Sequence, residues 1–271
     1  MLRWLREATP DTSALDELPM TTVRWLTGWW RIIHFGAQLL VLTLSPSSYV
    51  RENRGMMTRH LYLDTAPMLP WFTVLSALIS LVIIRIVIVT SISYGLSQYA
   101  LEMVVRVLVL ELIPLAAAVF AAFRCTIPNA ADLVAMRARG DFDRLRESGT
   151  EPLGREVLPR VAAGVFATLM LVAVSCVLTL LLAYVSVYGF IGGGFASYTR
   201  TVGRVFEPVV ALIFALKAFF LSVAVAVLPI ASVLYDGPRL RTRITAEVQG
   251  LLRVFSVILL IEAASLVGNY Y

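Results

Sequence analysis

Long apolar runs alternate with short polar segments along most of the chain. Five of these runs are long enough to cross a bilayer, because about 20 apolar residues in a helix span its hydrocarbon core. We predict five transmembrane helices at about residues 67–96, 101–127, 161–190, 209–235 and 251–267. Only a few residues separate the first two runs, so the first two spans form a tight helical hairpin.

A further apolar segment, residues 24–46, follows a polar tail and is ambiguous. Arg31, His34 and Gln38 interrupt it, and three tryptophans cluster near its start. Tryptophan favours the interface between water and lipid, so we predict an amphipathic helix lying in the inner interface. The length of the segment also allows a sixth span, and that alternative stays open.

The longest polar segment between two apolar runs is residues 132–160, with six arginines and six acids. Charges at this density are not accommodated in hydrocarbon, so the segment joins two spans in water. Asp141 is a candidate N-cap of a short helix, in which Phe142 and Leu145 share one face. Gly149 is a candidate helix stop. The apolar face of this helix needs a partner, which is either the base of the protein itself or another chain.

The order of residues in this polar segment is Met136, then Phe142-Asp143-x-Leu145, then Gly149-x-Glu151-Pro152, then Leu158-Pro159-Arg160. It resembles the MlaE/YrbE permease family, the membrane subunits of ABC systems that move phospholipids with MCE-domain proteins. In that family the segment is the coupling element that docks on the ATPase. The resemblance implies an ATPase-coupling surface formed by Met136, Asp141, Phe142, Asp143, Leu145, Gly149, Glu151 and Pro152.

Departures from the family pattern accompany the resemblance. Gly140 and Arg144 stand where the family usually has Glu and Ala. In the second span, Glu111, Leu112, Pro114 and Arg124 match, whereas Ile113 and Phe123 replace glycines. The resemblance is good over about residues 59–190 and loose after Lys217, which aligns with a family lysine.

The resemblance implies an all-α membrane protein with an N-terminal interfacial or elbow helix and about five transmembrane helices. It places a cytoplasmic tail and the interfacial helix in residues 1–66, and the permease domain, with its coupling loop 130–160, in residues 67–271. The implied partners are a second permease copy in a homo- or heterodimer, an ABC ATPase subunit, an MCE-domain protein and phospholipid. The chain has no P-loop sequence, so ATP is expected on the partner subunit and no cofactor on this chain.

Composition agrees with a membrane protein, since 59% of the residues are hydrophobic and the mean hydropathy is +0.81. The net charge of +5 comes from arginine, because Lys217 is the single lysine. This charge indicates cytoplasmic loops and lipid headgroups rather than nucleic acid.

Arginine is concentrated in residues 1–66, the central loop and residues 236–253. This distribution predicts a cytoplasmic N-terminus and a C-terminus on the opposite side of the membrane. The resemblance implies that this membrane is the inner membrane of a bacterium, so that the C-terminus is periplasmic. With two cysteines in the chain, no structural disulfide or metal site is expected.

Five ionisable residues fall within the apolar runs: Arg85, Glu111, Arg124, Lys217 and Glu262. Such groups cost about 2.5–3.5 kcal/mol at the bilayer centre, so they should face the bundle interior, the interface or a water-filled cavity. One interpretation is that they contact a charged lipid headgroup, with Lys217 as the best candidate. The other is that they pair with each other, for example Glu111 with Arg85 or Arg124.

The sequence contains no catalytic constellation, which favours a transport subunit over an enzyme. The leading hypothesis is the permease subunit of an ABC-type phospholipid transporter. The departures from the family pattern motivate a second hypothesis, a non-transporting membrane scaffold or heterodimer partner of such a complex. A third is a proton-coupled secondary transporter that uses Glu111 or Glu262.

Overall fold

The computed structural model describes residues 20–44, 51–149, 151–190, 192–235 and 243–270. These residues form helices and turns, with no strand among them. The helices are, in chain order, α1 (Met20–Leu44), α2 (Arg51–Thr65), α3 (Met68–Ser93), α4 (Ser97–Ala138), α5 (Asp141–Glu147), α6 (Leu153–Tyr188), α7 (Phe195–Val205), α8 (Pro208–Tyr235) and α9 (Arg243–Tyr270). The polar tail, residues 1–19, lies outside the described residues.

Five of the described helices are long and apolar enough to cross a membrane, namely α3, α4, α6, α8 and α9. They correspond in order to the five predicted spans, so the prediction of an all-α membrane protein is confirmed. The fifth span, Leu251–Asn269, begins where the sequence predicts, and its helix α9 extends back to Arg243. The helix α1 is not among the five.

The helix α6 occupies the middle of the bundle and packs against α2, α3, α4 and α8. At Gly164 the helix α6 lies close to both α4 and α8, since a Cβ there would lie 2.9 Å from Cγ2 of Thr126 and 3.2 Å from Cβ of Ala226. Small residues at such crossings let membrane helices pack backbone to backbone. The helix α9 packs mainly on α8.

The helix α1 has one buried and one exposed face. Ile32, Phe35 and Leu39 are buried against the bundle, chiefly α8, whereas Trp30 and Ile33 are exposed. The spacing of the buried residues, three and four apart, is that of an amphipathic helix. The predicted amphipathic character is therefore present.

Three stretches of the described helices have π-helical geometry: Val105–Leu112 and Ala122–Thr126 in α4, and Leu153–Val157 at the start of α6. Each ends two residues before a proline, which is Pro114, Pro128 and Pro159 respectively. Proline has no N–H to donate, and its ring collides with the carbonyl four residues earlier. A widened turn before the proline relieves that collision.

Pro229 lies inside α8 and does not break it, since the helix continues to Tyr235. The hydroxyl of Ser232 donates to the carbonyl of Pro229 at 2.9 Å, inside the helix. Neighbouring helices support the backbone at such a proline, and none of the three π-helical stretches precedes Pro229.

A buried charge cluster and a candidate coupling surface

A lysine and two carboxylates meet in the bundle interior, each from a different helix. Glu111 lies in the first π-helical stretch of α4, Lys217 on α8 and Glu262 on α9. The Nζ atom of Lys217 donates to Oε1 of Glu262 at 2.7 Å, to Oε2 of Glu111, and to the carbonyl oxygen of Leu110 at 3.1 Å. Only 1% of the Lys217 side chain is exposed. An ammonium group has three donors, so Lys217 has none left for another acceptor.

The bond to Leu110 follows from the proline in α4. Pro114 stands four residues after Leu110 and has no N–H for the carbonyl of Leu110, which in a regular helix would receive one. Lys217 donates to this oxygen. The proline thereby creates an acceptor that faces the lysine beside the Glu111 carboxylate.

The cluster has more acceptors than donors. The side-chain amide of Asn269 donates to Oε1 of Glu111 at 3.2 Å. Buried Oε2 of Glu262, Oγ of Ser265 and Oδ1 of Asn269 have no hydrogen-bond partner among the described residues. One ammonium thus faces two carboxylates, and part of the polar surface on α9 is not satisfied by protein groups.

The pairing considered from the sequence, Glu111 with Arg85 or Arg124, is wrong. Glu111 pairs with Lys217 instead. Both arginines are exposed, Arg85 on α3 and Arg124 in the second π-helical stretch of α4. A contact between Lys217 and a lipid headgroup would require the ammonium to leave the two carboxylates.

An apolar groove runs between α3 and α4, with a volume of about 420 Å³. From α3 it is lined by Phe72, Leu75, Ser76, Ile79 and Ser80. From α4 it is lined by Leu108, Leu112, Ile113, Leu115, Ala116, Val119, Phe120 and Phe123. Both residues that replace family glycines, Ile113 and Phe123, therefore line this groove. Leu112 and Ile113 directly follow Glu111, so the groove and the charge cluster share one stretch of α4.

The short helix α5 stands between α4 and α6 at the end of the bundle. Phe142 packs against the hydrophobic core and is half-buried, as is Leu145. Met136, Asp141, Arg144, Leu145 and Glu156 line a surface depression of about 270 Å³ beside it. Asp143 and Glu151 are exposed. The predicted helix and its shared apolar face are thus present, and part of that face packs on the base of the protein.

The predicted capping of α5 by Asp141 is wrong. The N-cap is Gly140, at a φ of +78° that favours glycine. Asp141 is the first residue of the helix, and its carboxylate accepts from Nε of Arg139 at 3.1 Å. Gly149, at a φ of +77°, follows the helix as predicted. Pro152 is buried and precedes α6.

Two arginines join α4, the helix that precedes α5, to neighbouring helices. Arg160 is buried, and its Nη1 lies 2.7 Å from Oε2 of Glu156, while its Nη2 lies 3.6 Å from Sδ of Met136. The contact with Met136 joins the end of α4 to the start of α6. In addition, Nη1 of Arg137 donates to the carbonyl of Leu234 at 2.5 Å, which joins α4 to α8.

The model of the family described as Permease MlaE matches residues 57–267. The chain belongs to the MlaE permease family. The match covers all five spanning helices, the charge cluster and α5. None of the curated proteins compared with the chain matches it.

Membership of the MlaE family makes the chain a multi-pass membrane permease of a lipid-transport ABC system. The family indicates a transport subunit. Among the described residues, no group of three or more His, Cys, Asp or Glu side chains could hold a metal ion. Cys125 and Cys176 are both buried and free.

Sequence reasoning missed three parts of this arrangement. Asn269 stands at the end of an apolar run without a recognisable motif. The carbonyl of Leu110 could have been suspected from Pro114, since each internal proline frees an acceptor four residues earlier. The pair between Glu156 and Arg160 has the helical spacing of four residues, but nothing in that spacing indicates its burial.

Proposed function

We propose that the chain is the permease subunit of an ABC-type phospholipid transporter in the bacterial inner membrane. A separate ATPase subunit binds the 130–160 loop from the cytoplasm and carries the ATP. A second permease copy completes the membrane part, and an MCE-type partner lies on the periplasmic side. The N-terminus is cytoplasmic and the C-terminus periplasmic, as the distribution of arginine indicates.

The observation that carries the proposal is that α5 packs on a spanning helix that is itself joined to two others. The helix α5 follows α4 and packs on it, and the Arg160 and Arg137 contacts join α4 to α6 and to α8. A force on α5 is therefore transmitted to helices that reach across the membrane. A coupling element needs this stiffness, because packed helices respond to a local push by moving as units.

The groove between α3 and α4 supports lipid as the cargo. Its walls are almost entirely apolar, with Ser76 and Ser80 as the polar exceptions. An acyl chain gains free energy by dispersion contacts with such walls. The groove therefore accommodates part of an acyl chain, and the nearby Glu111 and Lys217 supply charges that respond to a headgroup once the cluster opens.

The decisive experiment is purification of the tagged chain from membranes of its own host in mild detergent. We expect an ATPase subunit and phospholipid to co-purify, and lipid transfer between vesicles to require ATP. Phe142→Asp should remove the ATPase from the complex, since a carboxylate replaces an apolar contact of α5. Arg144→Glu tests the same surface through an exposed side chain and leaves the core unchanged.

The matched control is Phe190→Asp. Phe190 is 94% exposed and lies at the opposite end of α6 from α5. This variant should keep the ATPase bound. The proposed coupling surface is wrong if both Phe142→Asp and Arg144→Glu retain the ATPase and transport lipid at the rate of the unaltered protein. Transport that follows a proton gradient without ATP would instead favour a secondary transporter.

A second candidate is a non-transporting scaffold or heterodimer partner, and the groove favours it. The bulky side chains of Ile113 and Phe123 occupy the wall where the family has glycines. In addition, the ring of Phe123 lies 6.0 Å from that of Phe255 on α9. These contacts reduce both the space in the groove and the freedom of α4 to move against α9.

Enlarging the groove distinguishes the two candidates. The double variant Ile113→Gly with Phe123→Gly should raise lipid-stimulated ATPase activity if the two side chains only restrict the space that the groove leaves for a lipid. If the chain is a scaffold, the unaltered complex shows no lipid-stimulated activity and the double variant gains none. A more typical permease in the purified complex would identify the chain as one half of a heterodimer.

A further inference from the structure

The outward face of α3 contains an arginine without a partner. Arg85 is exposed, and no hydrogen bond or ion pair joins it to another described residue. Three hydroxyl side chains of α3, those of Ser76, Ser80 and Ser91, are buried, whereas Thr90 and Ser93 near the end of the helix are exposed. Along the middle of α3, hydroxyl groups thus face the bundle, and the one charged side chain of the helix faces outward.

Arg85 lies inside the span and not at its end. Eight residues separate it from Ser93 at the end of α3, which corresponds to about 12 Å of helix rise. The hydrocarbon core is about 30 Å thick. Side chains of a helix also point toward its N-terminus, so Arg85 is directed away from the nearer end and along apolar neighbours such as Leu81.

The residues around Arg85 form a strip suited to another helix. The strip consists of residues that are alternately three and four positions apart and therefore share one face of α3. They are Trp71, Val74, Leu78, Leu81, Arg85, Ile88 and Ile92. Trp71, Val74, Leu78, Leu81 and Ile92 are each more than half exposed. This is the a/d spacing of a helix that packs on a partner helix along its length, and a single polar residue at an a position selects the partner and the register.

The described part of this chain offers no partner for Arg85 on a second copy. The carboxylates in the apolar part of the spans are Glu102, Glu111 and Glu262. Glu102 is paired with Arg106 at 3.1 Å, and the other two are paired with Lys217. A second copy would therefore bring another unpaired arginine to the same face rather than a free carboxylate.

We propose that the strip containing Arg85 binds a transmembrane helix of a different protein, and that this helix has an Asp or Glu at the depth of Arg85. The apolar positions of the strip supply the packing. The guanidinium pairs with the carboxylate in two parallel hydrogen bonds. The pair fixes which helix binds and at which height, and it does not depend on the lipid cargo.

The test uses photo-crosslinking in membranes of the host. A photoreactive residue is placed at Leu78 or Ile92 on the strip, and, as the control position, at Val177 on the exposed face of α6. We expect the strip positions to capture one membrane protein with an acidic residue inside a predicted span. The control position should not capture it.

Charge reversal then tests the pair itself. Arg85→Leu and Arg85→Glu should lower the crosslinked yield at least about tenfold, while Arg85→Lys and the exposed control Arg200→Leu should retain it. Replacing the partner's acidic residue by Arg should restore the yield in the Arg85→Glu chain. Equal amounts of each variant in the membrane, with equal Tm in detergent, exclude misfolding as the cause.

Three outcomes would overturn the proposal. They are capture of lipid alone by the strip positions, capture of a second copy of this chain alone, and a yield that Arg85→Leu leaves unchanged. Loss of ATP-driven lipid transport with an intact partner crosslink would count against the proposed transport function and not against this contact.

Discussion

Two of the intramembrane cations, Lys217 and Arg85, have opposite environments. Lys217 is buried between three helices and donates to two carboxylates and a carbonyl. Arg85 faces outward from α3 and has no partner among the described residues. The two helices differ less than the two side chains do, since 33% of the apolar stretch of α8, which contains Lys217, is buried, against 22% for that of α3.

This comparison indicates that Lys217 stabilises the folded chain itself, whereas Arg85 is available to a group outside the chain. A buried ion pair does not add much stability compared with apolar residues, but removal of one member leaves an uncompensated charge. The chain therefore depends on Lys217 for its own stability. It does not depend on Arg85 in this way, because no group within the chain would lose a partner.

The largest expected effect is that of Lys217→Met. It leaves Glu111 and Glu262 buried without their cation, which should lower the free energy of unfolding by about 3 kcal/mol or more. Thermal unfolding in detergent measures the loss as a lower Tm. The triple variant with Glu111→Gln and Glu262→Gln should regain at least half of it, and an unchanged Tm in the single variant would contradict the described cluster.

A smaller effect is expected at the contact between α3 and α6. The hydroxyls of Ser80 and Thr179 lie 2.9 Å apart and are buried. Ser80→Ala should cost about 0.6 kcal/mol, the average for such bonds between membrane helices. The matched control is Ser93→Ala, whose exposed hydroxyl bonds to Val89 of its own helix. Equal stability changes in both variants would show that the contact between helices contributes nothing.

The smallest effect on the isolated chain is expected for Arg85→Leu. Its free energy of unfolding in detergent should stay within about 0.5 kcal/mol of the original, as for other exposed substitutions. The same variant should lose the partner crosslink in membranes. A large loss of stability in the purified chain would place Arg85 in an intramolecular role and remove the contrast with Lys217.

Much of the molecule could be predicted from local patterns. The five spans follow from uninterrupted apolar length, which the thickness of a bilayer alone requires. The polar segment between the second and third spans predicted α5 and its end at Gly149, because charge density and a helix stop are local properties. Its start at Gly140 was missed, since the sequence does not reveal which residue adopts a positive φ.

The partners of the intramembrane charges could not be predicted in the same way. Helices that are apolar on all sides do not reveal which face turns inward, so the sequence left Glu111 equally free to meet Arg85, Arg124 or Lys217. The pairing was decided by the packing of α4, α8 and α9 and by the carbonyl that Pro114 leaves free beside Lys217. Hydrophobic length thus determined which segments cross the membrane. Tertiary contacts between residues more than 40 positions apart determined which charges meet and which face outward.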